Sequence, residues 1–110
     1  GSALGIAGTP APATVPINSA KPTTKGTARP DGAAEVAFTK GEFDGVLVES
    51  RRAGETSWTG LGTDNYSPFV DTRPPLEAGK PEAREYRLRY VLTDEPVGEW
   101  SDIVTVVTRT

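Results

Sequence analysis

Histidine, cysteine and methionine are all missing from these 110 residues. Without cysteine there is no disulfide staple and no thiolate to act as nucleophile or metal ligand. Without histidine the chain lacks the side chain most used to shuttle protons near neutral pH and to bind zinc. Any catalysis would fall to carboxylates, Ser/Thr, Lys or Tyr, and the chain is expected not to be an enzyme. No apolar run approaches the ~20 residues that span a bilayer, so membrane insertion is not expected. Twelve basic against fifteen acidic residues give a formal net charge of −3. No basic stripe runs through them, which argues against nucleic acid as a partner.

The missing methionine, with Gly1-Ser2 at the start, leads to the expectation of a domain cut from a larger protein and carrying a tag remnant. Residues 1–20 hold no charged side chain, and Pro10, Pro12 and Pro16 favour extended backbone. This Pro/Ala/Thr-rich stretch is expected to be an interdomain linker. The alternative is that Val15 and Ile17 add as an edge strand, on this domain or on a neighbouring copy. Residues 21–110 form the expected domain, a length sufficient for one core.

The most informative stretch is Glu85 to Thr108. Tyr86, Leu88, Tyr90 and Leu92 alternate with Glu85, Arg87, Arg89, Val91 and Thr93, which buries one face of a strand and wets the other. Val104, Val106 and Thr108 share a face in the last strand, opposite Ile103, Thr105 and Val107. Earlier, Lys25 to Ala28 is a weak strand stopped by the turn sequence Arg29-Pro30-Asp31-Gly32. Ala34, Val36 and Phe38 alternate in the next. After a turn at Gly41 to Gly45, Val46, Val48 and Ser50 point inward against Leu47, Glu49 and Arg51. Ser57-Trp58-Thr59 is expected to be a short edge piece followed by a flexible loop, Gly60 to Asn65. Phe69 to Thr72 is expected to be another strand, ended by Pro74-Pro75, and Leu76 to Arg84 has room for one helical turn at most. About seven short strands in ~90 residues predict an all-β, seven-stranded antiparallel immunoglobulin-like sandwich.

With the strands laid out, residues 21–110 resemble the fibronectin type III family. The resemblance rests on Tyr86-x-Leu88-x-Tyr90-x-Leu92, followed by Asp94, Gly98 and Ser101 and the alternating strand that ends in Thr108. It implies that Tyr86 opens the sixth strand with its hydroxyl tied to backbone in the preceding corner. It also implies that Phe38 fills the buried position where the family commonly has tryptophan, and that Leu76 stands for the leucine before the tyrosine. The related cytokine-receptor modules slot tryptophans between arginines of an adjacent strand. By that likeness Trp100, in the single Trp-Ser of this chain, would stack on Arg87 or Arg89.

Chemistry-bearing clusters are sparse. Asp94, Glu95 and Glu99 share one loop, and Glu42 and Asp44 another, but fifteen acids make such neighbours by chance. No Asp-x-Asp-x-Asp ladder suggests calcium, and no metal or cofactor is expected. Trp58, Tyr66 and Phe69 are the better candidates for contact with a protein or a glycan. The plainer alternative has Trp58 and Phe69 folded over the end of the core, leaving Tyr66 exposed. Arg51, Arg87 and Arg89 face water beside Glu49 and Glu85, as cross-strand ion pairs would.

The expected function is that of a non-catalytic spacer or protein-binding module of a larger secreted or surface-attached bacterial protein, with cytoplasmic placement open. Its partners would be a protein or the neighbouring domains. Two alternatives stand beside it: an accessory carbohydrate-binding module using Trp58 and Tyr66, and self-assembly through the N-terminal extended segment.

Overall fold

A computed structural model describes residues 19–109. Eight strands follow one another: β1 (Thr24–Ala28), β2 (Ala34–Phe38), β3 (Gly45–Arg52), β4 (Thr59–Asp64), β5 (Phe69–Asp71), β6 (Ala83–Leu92), β7 (Glu95–Pro96) and β8 (Val104–Val107). They form two antiparallel sheets, one ordered β1-β2-β5, the other β4-β3-β6 with both β7 and β8 on the far side of β6. The eighth strand is the difference from the expected seven. It arises because the loop after β6 folds straight back, pairing Leu92 with Glu95 and Val91 with Pro96.

Period-two alternation builds the core. In β2 every second residue is buried, and in β6 Arg84, Tyr86, Leu88 and Tyr90 all face inward. Register then aligns the two longest strands, with Val46 opposite Tyr90, Val48 opposite Leu88 and Ser50 opposite Tyr86. Ala34, Val36 and Phe38 meet them from the other sheet, and Val106 closes one side. Phe38 is thus buried as expected. Ala20, the last residue of the expected linker, also packs into this core, and its carbonyl accepts the Glu99 N–H at 2.9 Å. The linker and assembly expectations for residues 1–18 lie outside the described residues.

Three local expectations are corrected. The strand placed at Ser57-Trp58-Thr59 instead runs from Thr59 to Asp64, through the stretch expected to be a flexible loop. Its register shifts where Val48 pairs with Gly62 and Glu49 with Gly60, so Leu61 is an extra residue and reaches the core. Glycine content suggested a loop, but pairing to β3 overrides propensity here. The Leu76–Arg84 segment holds turns rather than a helical turn, and β6 begins at Ala83. Leu76 itself is 65% exposed and does not fill the corner position that the resemblance implied.

Candidate functional site

Three groups of side chains stand out, and only one of them lines a cleft with unpaired groups at its rim. The first lies on the outer face of the larger sheet. Register sets Arg87 opposite Glu49 and Arg51 opposite Glu85, and both pairs close, at 2.6 Å and 2.8 Å. Trp58, just before β4, lies with its ring 4.5 Å from the Arg51 guanidinium and 4.4 Å from that of Arg87. Trp100 lies 4.2 Å from Arg87 as well. Arg87 therefore serves two indoles, each attracted to its cation through the ring quadrupole. The expected Trp100 stack is present and chooses Arg87 over Arg89. Arg89 carries a buried Nε without a hydrogen-bond partner. Trp58 is committed to this arginine ladder and does not fold over the end of the core.

The second group closes the end of the sandwich where β5 turns toward β6. Asp71 is 3% exposed and Arg84 is completely buried. Tyr86 donates its phenolic O–H to Asp71 Oδ2 at 2.6 Å, not to backbone as the resemblance implied. Arg73 donates to both Asp71 oxygens, at 2.9 and 2.8 Å, and to Ser50 Oγ at 3.1 Å. Arg84 donates to Glu82 at 2.6 Å and to the Arg73 carbonyl at 2.8 Å, while its Nη1 lies 3.3 Å from Asp71 Oδ2. Burial alone would push the Asp71 carboxyl up, but hydrogen bonds from Arg73 and Tyr86 and the Arg73 charge hold it down at about 2. Burial and then the Asp71 carboxylate push the Tyr86 phenol well above its ordinary value. Most of its polar atoms are paired within the group, although Arg84 Nη1 is buried without a hydrogen bond, and only Arg73 reaches the surface. We read it as a structural clasp. Arg84 was legible by parity, two residues before Tyr86, but the strand was expected from Glu85 and begins two residues earlier, at Ala83.

The third group lines an open cleft of about 500 Å³ at the other end, between the β2–β3, β4–β5 and β6–β7 connections. Its apolar lining is Phe43, Leu47, Tyr66, Val91 and Pro96. Lys40, Asp44, Thr63, Asn65 and Asp94 supply the polar part. Phe43 is held by stacking on Tyr90, with centroids 4.0 Å apart and planes 12° from parallel. Tyr90 in turn donates to the Thr39 carbonyl at 2.8 Å. Asp44 Oδ2 accepts the Thr93 N–H at 2.8 Å, which fixes one turn against another. That turn has two residues, Thr93 and Asp94, with φ of 53° and 63°. Both lie in the left-handed region, which side-chain-bearing residues enter only at a cost, as a tight two-residue hairpin requires.

Tyr66 stands at this cleft 77% exposed, with the Lys40 ammonium 5.2 Å from its ring. Of the three aromatic candidates it alone is available. Phe69 packs against the core. Sequence reasoning missed Lys40, Phe43 and Asp94 as neighbours of Tyr66, because they come from three separate connections. Among the described residues no group of three or more His, Cys, Asp or Glu could hold a metal ion. No helix long and apolar enough to cross a membrane is present there.

No protein-family model matches this sequence, and no curated protein matches it. Among solved structures it is similar to a chain described as "Cytokine receptor complex - Crystal form 1A", with a TM-score of 0.54 and 14% identity. The match covers 76% of this chain and 48% of that one, so this chain accounts for about half of its neighbour's length. At such identity the likeness speaks to fold alone: an all-β, fibronectin type III-like arrangement of two antiparallel sheets.

Proposed function

We propose that this chain is a fibronectin type III-like, non-catalytic protein-binding module of a larger secreted or surface-attached bacterial protein. The observation that carries the reading is the loop-end cleft, where Tyr66 stands exposed on a floor that Phe43 and Tyr90 hold rigid. An exposed aromatic beside a cleft with an apolar floor is the kind of anchor on which protein contacts concentrate their energy. The sandwich supplies the stiffness, through the Arg87 ladder on one face and the Asp71 clasp at the far end.

The carbohydrate alternative asked Trp58 and Tyr66 to act together as a stacking platform. Trp58 is occupied by Arg51 and Arg87, which leaves a single aromatic and favours a protein partner. The test is a photoreactive phenylalanine analogue in place of Tyr66, within the parent protein in its own cell, and another in place of the exposed Ile103 as control. A discrete crosslinked polypeptide at position 66 and none at 103 is the expected result. Absence of any polypeptide adduct at 66, or adducts to polysaccharide instead, would overturn the reading.

A further inference from the structure

Charge is spread unevenly over the sandwich. On the sheet faces and at the clasp, acids are paired: Glu35 with Arg29, Glu49 with Arg87, Glu85 with Arg51, and Asp71 with Arg73 and Arg84. Near the clasp end, Asp31 and Glu55 accept turn amides of Ala33 and Arg52. At the loop end Asp64 likewise accepts the Tyr66 amide, but other acids described there have no partner. Among the described residues, the exposed side chains of Glu42, Asp94 and Glu95 have neither an ion pair nor a hydrogen bond. Asp94 lines the cleft, while Glu42 and Glu95 are chain neighbours of lining residues. Asp44 has no cation either, though it accepts the Thr93 amide. The single base in the lining is Lys40, and its ammonium lies over the Tyr66 ring.

From this charge pattern around an apolar floor, and resting on the protein-binding reading above, we propose that the cleft takes a basic segment of its protein partner. One Arg or Lys side chain lies on the Tyr66 ring, the position Lys40 fills in the free domain. An apolar side chain next to it in the partner packs against Phe43, Leu47 and Val91. Three physical effects agree on this. A cation over a tyrosine face is attracted by the ring quadrupole, more strongly as water is excluded. Unpaired acids of one sign around a cleft raise the local concentration of cationic segments and speed their encounter. The same acids repel an acidic segment, so the rim discriminates as well as attracts.

The probe is a short capped peptide alternating Arg and Leu, compared with its counterpart in which Glu replaces every Arg. Both are titrated into the 110-residue chain labelled with ¹⁵N at low ionic strength. The basic peptide is expected to shift the amides of Lys40, Phe43, Tyr66 and Asp94, and to dissociate as salt shortens the screening length. The acidic peptide is expected to leave them in place. Tyr66→Ala and the pair Asp94→Asn with Glu95→Gln should each weaken the basic peptide roughly fivefold or more. These side chains are exposed and bear no part of the core, so the variants fold. No shift at the cleft, equal binding of the two peptides, or shifts scattered over all faces would overturn the proposal. If position 66 still crosslinks to a polypeptide in the cell after such a result, the protein-binding reading stands and only the basic partner is lost.

Discussion

The Tyr86 hydroxyl and the Asp71 carboxylate meet at 2.6 Å inside the sandwich, joining the middle of β6 to the end of β5. Asp71 thereby takes the place that backbone holds in the corner expected from the family resemblance. A carboxylate acceptor makes the bond charge-assisted, and Arg73 and Arg84 neutralise the charge that burial would otherwise penalise. The two sheets are joined at this point by polar contacts where the apolar core runs out.

Tyr86→Phe removes only the donor. Since a hydrogen bond to a charged group contributes about 1.5–3 kcal/mol, urea unfolding should show a loss in that range. Asp71→Asn should cost more, about 3–5 kcal/mol, because it removes the one carboxylate paired with Arg73 and leaves the buried Arg84 with Glu82 alone. If the two variants are equally stable, Asp71 does not hold the clasp together.

Both ionisations have consequences for pH. The Asp71 carboxyl titrates at about 2 when folded against an ordinary 3.8. Its folded pKa is depressed, so its stabilisation is present above the unfolded value and is lost as pH falls from there through the folded value. The loss is about 2 kcal/mol over that window and is missing from Asp71→Asn. Tyr86 is raised from 10.0, so its stabilisation is complete below pH 10 and is lost as pH rises beyond. The slope for one proton is about 1.4 kcal/mol per pH unit. Urea midpoints measured between pH 8 and 11.5 should fall less steeply in Tyr86→Phe, with a remainder from Tyr90, whose phenol burial also raises.

The ladder on the outer face is tested by comparing arginines. Arg87→Ala loses two indole contacts and the Glu49 ion pair, whereas Arg89→Ala loses none of these. Exposed cation–π contacts are worth about 0.5–1 kcal/mol each, so Arg87→Ala should fall about 1–2 kcal/mol below Arg89→Ala. Trp100→Ala and Trp58→Ala should each lower Tm by roughly 4–8 °C, the equivalent of about 1 kcal/mol in a domain near this size. An unchanged Tm for Trp100→Ala would show that its stacking carries no stability.

Two glycines predict opposite outcomes. A Cβ on Gly26 would lie 2.6 Å from a Val106 methyl and 2.9 Å from one of Val104, where β1 crosses β8. Gly26→Ala should therefore destabilise by about 1–3 kcal/mol through overpacking. Nothing lies within 4 Å of a Cβ on Gly60. Gly60→Ala, on the outer edge strand, should be neutral or slightly stabilising, because it restricts the unfolded chain. Equal losses at both sites would mean that backbone freedom rather than close packing governs Gly26.

What the amino-acid order determined alone is the all-β class and the inward faces of β2, β3, β6 and β8. Each follows from parity within a strand, and such periodicity survives without any knowledge of distant neighbours. A Trp100 stack on Arg87 or Arg89 was implied by the likeness to cytokine-receptor modules, and the structure chose Arg87. Tertiary structure decided the rest. β4 exists because β3 offers its edge to a glycine-rich stretch that has little strand preference of its own. Asp71 became an acceptor for Tyr86 because the turn into β6 brings Arg73 and Arg84 around it. The cleft belongs to no segment: Lys40, Tyr66 and Asp94 lie on three connections, and only sheet pairing sets them side by side. Strand faces are written in local alternation, whereas a site made by loop ends is defined by distances that only the closed sandwich fixes.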